Sequence, residues 1–182
     1  IETVGPPFSG NQVKIADDGE ILIKGENVML GYWNNAAETE KVLIDGWLYT
    51  GDIGHFENEY LKITDRKKDI IITTGGDNIS PIKIENDLVN IKFIEQSLVF
   101  GDSKPYLVAM IVLSKEYKNI SKEEIYKEIA KTNENLSKIE KIKKFIIIDE
   151  QFTIENGLMT PTLKLKRYKI INKYKKELEK LY

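Results

Sequence analysis

Lys164 follows an Asn156-Gly157 turn and the extended stretch Leu158-Met159-Thr160-Pro161-Thr162-Leu163, and it precedes Leu165-Lys166-Arg167 at the start of a helical pattern. A lysine presented on such a loop can reach a phosphoryl or carboxylate oxygen and neutralise charge that develops in a transition state. Upstream, Gly46-Trp47-Leu48-Tyr49-Thr50-Gly51-Asp52-Ile53-Gly54 joins a small-residue turn to a carboxylate. The turn lets backbone come close to a ligand, and Asp52 can accept two hydrogen bonds from a vicinal diol such as a ribose. A third string, Ile63-Thr64-Asp65-Arg66-Lys67-Lys68-Asp69-Ile70-Ile71-Ile72, runs on to Thr74-Gly75-Gly76-Asp77-Asn78-Ile79-Ser80-Pro81. It sets five consecutive charges between two strands. Its Gly75-Gly76 pair has neither the Gly-Lys-Ser/Thr ending of a phosphate loop nor dinucleotide-binding spacing. The fourth string is Gly19-Glu20-Ile21-Leu22-Ile23-Lys24-Gly25 followed by Gly31-Tyr32-Trp33. Taken singly, each string also describes an ordinary solvated turn, strand or helix start.

Elements of two kinds must position these residues. The first stretch alternates apolar and polar residues in short pieces, at Gln12–Ile15 and Glu20–Lys24, with Gly10, Asp17-Asp18-Gly19 and Gly25 as punctuation. That pattern predicts small strands in meanders. A short helix is expected over Ala36–Leu43, capped by Asn34 or Asn35, before Asp45-Gly46 turns the chain into Trp47-Leu48-Tyr49. Glu57-Asn58-Glu59 reads as a hairpin turn between two further strands. From Asp69 the pattern changes. A β-branched run at Ile70–Thr74, a helix over Pro81–Asn90 capped by Ser80, and strands at Gln96–Gly101 and Tyr106–Leu113 give a β-α-β-β series. Ser121 and Glu124 form a capping box that predicts a helix over Lys122–Thr132, and Lys144–Ile148 returns to strand. Ile170, Tyr174, Leu178 and Leu181 recur at helical intervals, predicting one amphipathic helix to the end. The fold class is α+β, with a small α+β domain from about residue 67 onward.

The 182 residues have room for one compact domain and a smaller piece. A formal charge of −2 lacks the broad positive field of a protein that grips nucleic acid, so none is expected as a partner. No cysteine and a single histidine, His55, leave no disulfide framework and no metal-ligand spacing, so no metal site is expected. Neither a leader layout nor an apolar run long enough to span a bilayer is visible, which predicts a cytoplasmic protein. Arg66 and Arg167 are the only arginines among 27 basic residues, hence the only planar bidentate donors.

In order and register over nearly the whole chain, Tyr-Thr-Gly-Asp, Asp-Arg-Lys-Lys-Asp, Gly-Gly-x-Asn-Ile-x-Pro and Met-Thr-Pro-Thr-Leu-Lys-Leu-Lys-Arg resemble the adenylate-forming superfamily of acyl-CoA synthetases, luciferases and peptide-synthetase adenylation domains. The wording is closest to the AMP-forming long-chain fatty acyl-CoA synthetases. The resemblance implies that residues 1–66 are the β-rich end of a large amino-terminal AMP-binding domain, and that 67–182 form a mobile carboxy-terminal domain which rotates between half-reactions. It implies that Asp52 binds the ATP ribose hydroxyls, Arg66 contacts ribose or phosphates, Lys68 is the hinge, and Lys164 is the adenylation lysine. The Thr73–Asn78 loop with Gly75 and Gly76 would face the CoA pantetheine. Asp77 departs from the lysine that relatives often carry there. The substrates implied are a fatty acid, ATP with Mg2+, and CoA. The phosphate loop, the magnesium-binding glutamate and the acyl tunnel belong to an upstream domain, so the chain is expected to be inactive alone; peripheral membrane association is a property the resemblance allows the complete enzyme. Two other readings stay open: a non-catalytic truncated or split-gene module, and a ligase that passes acyl-adenylate to a carrier protein. Acyl chain length and oligomeric state are not encoded in these strings.

Overall fold

Strand β1 (Gln12–Ile15) pairs antiparallel with β2 (Glu20–Lys24) across the Asp17-Asp18-Gly19 turn, as the alternating pattern predicts. In the computed structural model, which describes residues 3–182, helix α1 (Ala36–Val42) follows, capped by Asn35, whose side chain accepts from the Glu38 N–H at 3.2 Å. Two-residue β3 (Leu43–Ile44) turns through Asp45-Gly46 into β4 (Trp47–Glu57). That strand is far longer than the expected Trp47–Tyr49. Gly51, at φ +70°, is absorbed as an irregularity inside it rather than ending it, because β2 on one side and β5 (Tyr60–Arg66) on the other keep the ladder going. Asn58 and Glu59, both at positive φ, make the tight turn between β4 and β5.

Residues up to Lys68 form one compact unit and Asp69–Tyr182 a second. The second unit opens with a hairpin of β6 (Ile71–Ile72) and β7 (Asn78–Ile79), shorter than the Ile70–Thr74 run suggested, because residues 73–77 leave the ladder to form a loop. Helix α2 (Pro81–Val89) starts with Pro81 in its first turn. Ser80 is extended and makes no side-chain cap hydrogen bond, unlike the expectation for it. Pro81, with its fixed φ, suits the first position of a helix whether or not the Ser80 side chain caps it. Strands β8 (Ile94–Phe100) and β9 (Leu107–Leu113) form an antiparallel pair, and α3 (Lys122–Glu134) is capped by Ser121, which accepts from the Glu124 N–H at 3.2 Å. Strand β10 (Ile142–Ile147) then joins β9 in parallel, giving the order β10-β9-β8.

All seven residues of β9 are buried, and they alternate between two apolar cores. Leu107, Ala109, Ile111 and Leu113 meet Ile84 and Leu88 of α2 and Ile125 and Ile129 of α3. Val108, Met110 and Val112 face Phe152, Leu158, Ile170 and Leu178 on the other side. A strand covered on both faces reads as a continuous apolar run, which is why the sequence shows no alternation there. The expected single terminal helix is two, α4 (Arg167–Lys173) and α5 (Lys175–Glu179), interrupted at Tyr174, whose hydroxyl donates to Glu150 at 2.7 Å. The chain is α+β throughout.

Candidate functional site

Asp52 and Arg66 lie directly opposite each other in the β4–β5 register, and Arg66 Nε sits 2.8 Å from Asp52 Oδ1. Neither position is accidental. The Thr50 hydroxyl donates to the Ile21 carbonyl at 2.7 Å and accepts from the Asp52 N–H at 3.1 Å, tying the turn to β2. Glu20, 4% exposed, accepts from the Gly51 N–H at 2.8 Å through one carboxylate oxygen and holds Lys67 at 2.9 Å through the other. Lys67 also pairs with Asp18 at 2.6 Å. Asp18, and then Glu20, stabilise the charged ammonium and raise the Lys67 pKa, while the Lys67 hydrogen bond, with a backbone N–H from Glu20, lowers that of Asp18. The Asp52 carboxylate is thus held in place by the turn, with one guanidinium beside it. Lys68 follows on an exposed single turn, Lys67–Asp69.

In the second unit, Gly75 and Gly76 sit at the tip of the loop between β6 and β7. Buried Thr73 organises it: its hydroxyl accepts from the Gly75 and Asp77 N–H groups at 3.2 and 3.3 Å and donates to the Asp77 carboxylate at 3.0 Å. Asp77, the departure noted in the sequence, therefore closes the loop on itself. The β8–β9 turn braces the base, with the Thr74 N–H donating to the Lys104 carbonyl and the Ile72 N–H to Asp102. Beside Gly75 opens a cavity of about 390 Å3, walled by Tyr106 and by Lys138, Lys141 and Lys143. These three lysines have no ion-pair or hydrogen-bond partner among the described residues.

Lys164 lies on a hairpin. Met159 and Leu165 bridge its arms, the Thr160 N–H donates to the Lys164 carbonyl at 2.8 Å, and the Lys164 N–H donates to the Thr160 hydroxyl at 3.1 Å. Leu163, at φ +59°, makes the turn. Backbone at Lys164 is thus fixed on both sides while its exposed ammonium has no partner among the described residues. Lys166 is half-buried, and its N–H donates to the Leu158 carbonyl.

The site residues of the first unit come together, and so do those of each loop of the second. Sequence reasoning missed Asp18 and Glu20 as the clamp on Lys67, Thr73 as the loop's centre, and the lysines of the cavity. Glu20 stood inside a quoted string, but its partner Lys67 is 47 residues away and nothing local announces it. Among the described residues no group of three or more His, Asp or Glu is arranged to hold a metal ion, and Asp52 is engaged by Arg66, so these residues do not fit Mg2+. No described helix is long and apolar enough to cross a membrane.

Residues 68–182 match the family described as the AMP-binding enzyme C-terminal domain, and the chain belongs to that family of adenylate-forming enzymes. It is 37% identical over its whole length to a long-chain-fatty-acid–CoA ligase of Mycobacterium tuberculosis, covering 34% of that protein. It is 32% identical to a chloroplastic long-chain-fatty-acid–[acyl-carrier-protein] ligase of Arabidopsis thaliana, with 99% of this chain and 29% of that one aligned. Among solved structures, the adenylation domain of a carboxylic acid reductase from Segniliparus rugosus, in complex with AMP and a co-purified carboxylic acid, superposes on it with a TM-score of 0.85 at 26% identity, covering 97% of this chain and 32% of that one. The chain spans about a third of the length of the curated relatives it matches.

Proposed function

We propose that the chain supplies the carboxy-terminal part of an ATP-dependent, AMP-forming fatty acid–CoA ligase. In this reading a carboxylate attacks the α-phosphate of ATP to give acyl-adenylate and pyrophosphate, and the CoA thiolate then attacks the acyl carbon and releases AMP. Residues 1–66 are the end of the AMP-binding domain, residues 67–182 the mobile domain, and Lys68 the hinge between them. Asp52 accepts from the ribose hydroxyls, and Arg66 adds positive charge beside the ribose and phosphates. The Gly75-Gly76 loop faces the acceptor thiol.

The observation that carries the reading is the Lys164 ammonium, without a partner among the described residues, on a hairpin whose backbone is fixed on either side of it. A charge held in that way serves a transition state better than a ground state, since no internal ion pair has to break before it acts. In the complete ligase, Lys164→Ala is expected to slow acyl-adenylate formation by about 10²- to 10³-fold. Thioester formation from supplied acyl-adenylate should stay near the unmodified rate, because a rotated domain presents the glycine loop instead. Equal loss in both half-reactions would remove Lys164 from this role.

The three lysines beside Gly75 favour CoA as acceptor, since their ammonium groups suit the phosphates of its nucleotide. The Arabidopsis relative acts on acyl-carrier protein, so CoA and carrier protein should be compared as acceptors in one assay. Turnover with carrier protein alone would change the acceptor and leave the adenylation chemistry standing.

A further inference from the structure

Three residues after Lys164, Arg167 is held in a way that the stability of its surroundings does not require. It opens α4, where a cation lies at the positive end of a helix dipole and is mildly disfavoured. Its side chain is only 13% exposed and pairs with that of Glu85, 12% exposed, and a buried ion pair contributes little net stability once desolvation is counted. Geometry is what the pair does provide. One arm of the guanidinium, Nη1, donates to Glu85 Oε1, and the other, Nη2, donates to the Val99 carbonyl at 2.7 Å. The same Glu85 oxygen accepts from the Val99 N–H at 2.6 Å. Glu85 and Arg167 therefore satisfy both backbone groups of Val99, on the open edge of the sheet, as a neighbouring strand would.

This contact fixes the base of the Lys164 hairpin. Between the two residues, Leu165 is bridged to Met159 and the Lys166 N–H is bonded to the Leu158 carbonyl, so little backbone torsional freedom separates Arg167 from the Cα that carries the Lys164 side chain. Glu85 lies in α2, the helix that follows the glycine loop, so one helix sets the base of both functional loops.

We propose that Arg167, locked by Glu85 and by the Val99 carbonyl, is the positioning residue for Lys164 in adenylation. The proposal rests on the reading of Lys164 given above and adds the device that aims it. It is tested in the complete ligase by following acyl-adenylate formation with ATP and palmitate, thioester formation from supplied palmitoyl-adenylate with CoA, and thermal unfolding of each variant. Misplacing a reacting group by about 1 Å can cost roughly 10²-fold. Arg167→Met is expected to slow adenylation by about ten- to a hundredfold through kcat, with KM for ATP and the thioester step nearly unchanged. Arg167→Lys, which keeps the charge but not the fork, should recover part of the loss. The reversed pair Glu85→Arg with Arg167→Glu should recover none, because Val99 would then face a carboxylate at its carbonyl and a guanidinium at its N–H.

Rescue by the reversed pair would reduce the contact to a simple charge pair and overturn the proposal. So would equal slowing of both half-reactions, or normal adenylation by Arg167→Met in an enzyme that Lys164→Ala cripples. A Lys164→Ala enzyme that adenylates normally would instead overturn the underlying reading. If Arg167→Met does not fold, Arg167→Lys and Glu85→Gln, which each keep part of the contact, carry the same comparison.

Discussion

Lys164 and Lys166 are two residues apart on one hairpin, yet their surroundings differ. Lys166 is half-buried where the hairpin enters α4, whereas Lys164 is exposed and fixed at its backbone. Lys166→Ala is accordingly expected to change either half-reaction of the complete ligase by less than about threefold, within the reach of a surface substitution of ~0.5 kcal/mol. Parallel single-turnover assays would check it; an essential Lys166 beside a dispensable Lys164 would move the proposed role by two positions. Asp52→Asn removes the charge that pairs with Arg66 and would meet a diol, and a charged hydrogen bond is worth about 1.5–3 kcal/mol. KM for ATP should therefore rise about ten- to a hundredfold, measured by pyrophosphate release at varied ATP. At this scale the sequence singled out Asp52, Arg66 and Lys164, because each stands within a local string. It was silent where the partner is remote: Glu20 with Lys67, and Glu85 with Arg167, are joined by folding alone.

Strands β4 and β5 carry Asp52 and Arg66, so their register decides whether the two meet. That register shifts between Ile53 and Gly54, where a Cβ on Gly54 would stand 2.3 Å from the Lys62 carbonyl oxygen and 2.8 Å from Ile21 Cδ1. Gly54→Ala must push the strands apart and is expected to destabilise the first unit by about 1–3 kcal/mol, as overpacking does, and to weaken ATP binding with it. Chemical denaturation together with nucleotide titration reads both effects. At the end of the same hairpin, Glu59 bears a left-handed φ of +68°, which costs a residue with a Cβ about 1–2 kcal/mol. Glu59→Gly should raise stability by about 0.5–1 kcal/mol after the added chain entropy of glycine, seen as a higher Tm. The Asp18–Lys67 pair makes the first unit sensitive to acid. With the Asp18 pKa lowered, its contribution is present above the ordinary value of 3.8 and is lost as pH falls below it; the raised Lys67 pKa keeps the other partner charged through neutral pH. Lys67→Met should flatten the acid limb of the stability profile. Hairpin strands and helix caps were largely legible because their signals are local. The length of β4 and the break at Tyr174 were not, since β5 and Glu150 impose them from elsewhere in the chain.

The division between Lys68 and Asp69 places Asp52 and Arg66 in one compact unit, and the glycine loop and Lys164 in the other. If Lys68 is the hinge, restricting its torsions should separate the half-reactions. Lys68→Pro locks φ near −65° and is expected to impair the half-reaction that needs other torsions while leaving ATP affinity intact. Rapid-quench measurement of both steps would check this, and joint loss of both with ATP affinity would argue against rotation there. At the level of the whole chain the order of the strings carried the family, because four short patterns in register are far more informative than any one of them. The bare edge of the three-stranded sheet has a further consequence, which concerns the life of the protein at high concentration. Strand β8 is an outer strand, and an outer strand with open N–H and C=O groups is a template on which another copy can add. Glu85 and Arg167 occupy that opening at Val99. Variants that free Arg167 should therefore self-associate more readily than wild type, through strand addition at β8, even when assayed far from any substrate.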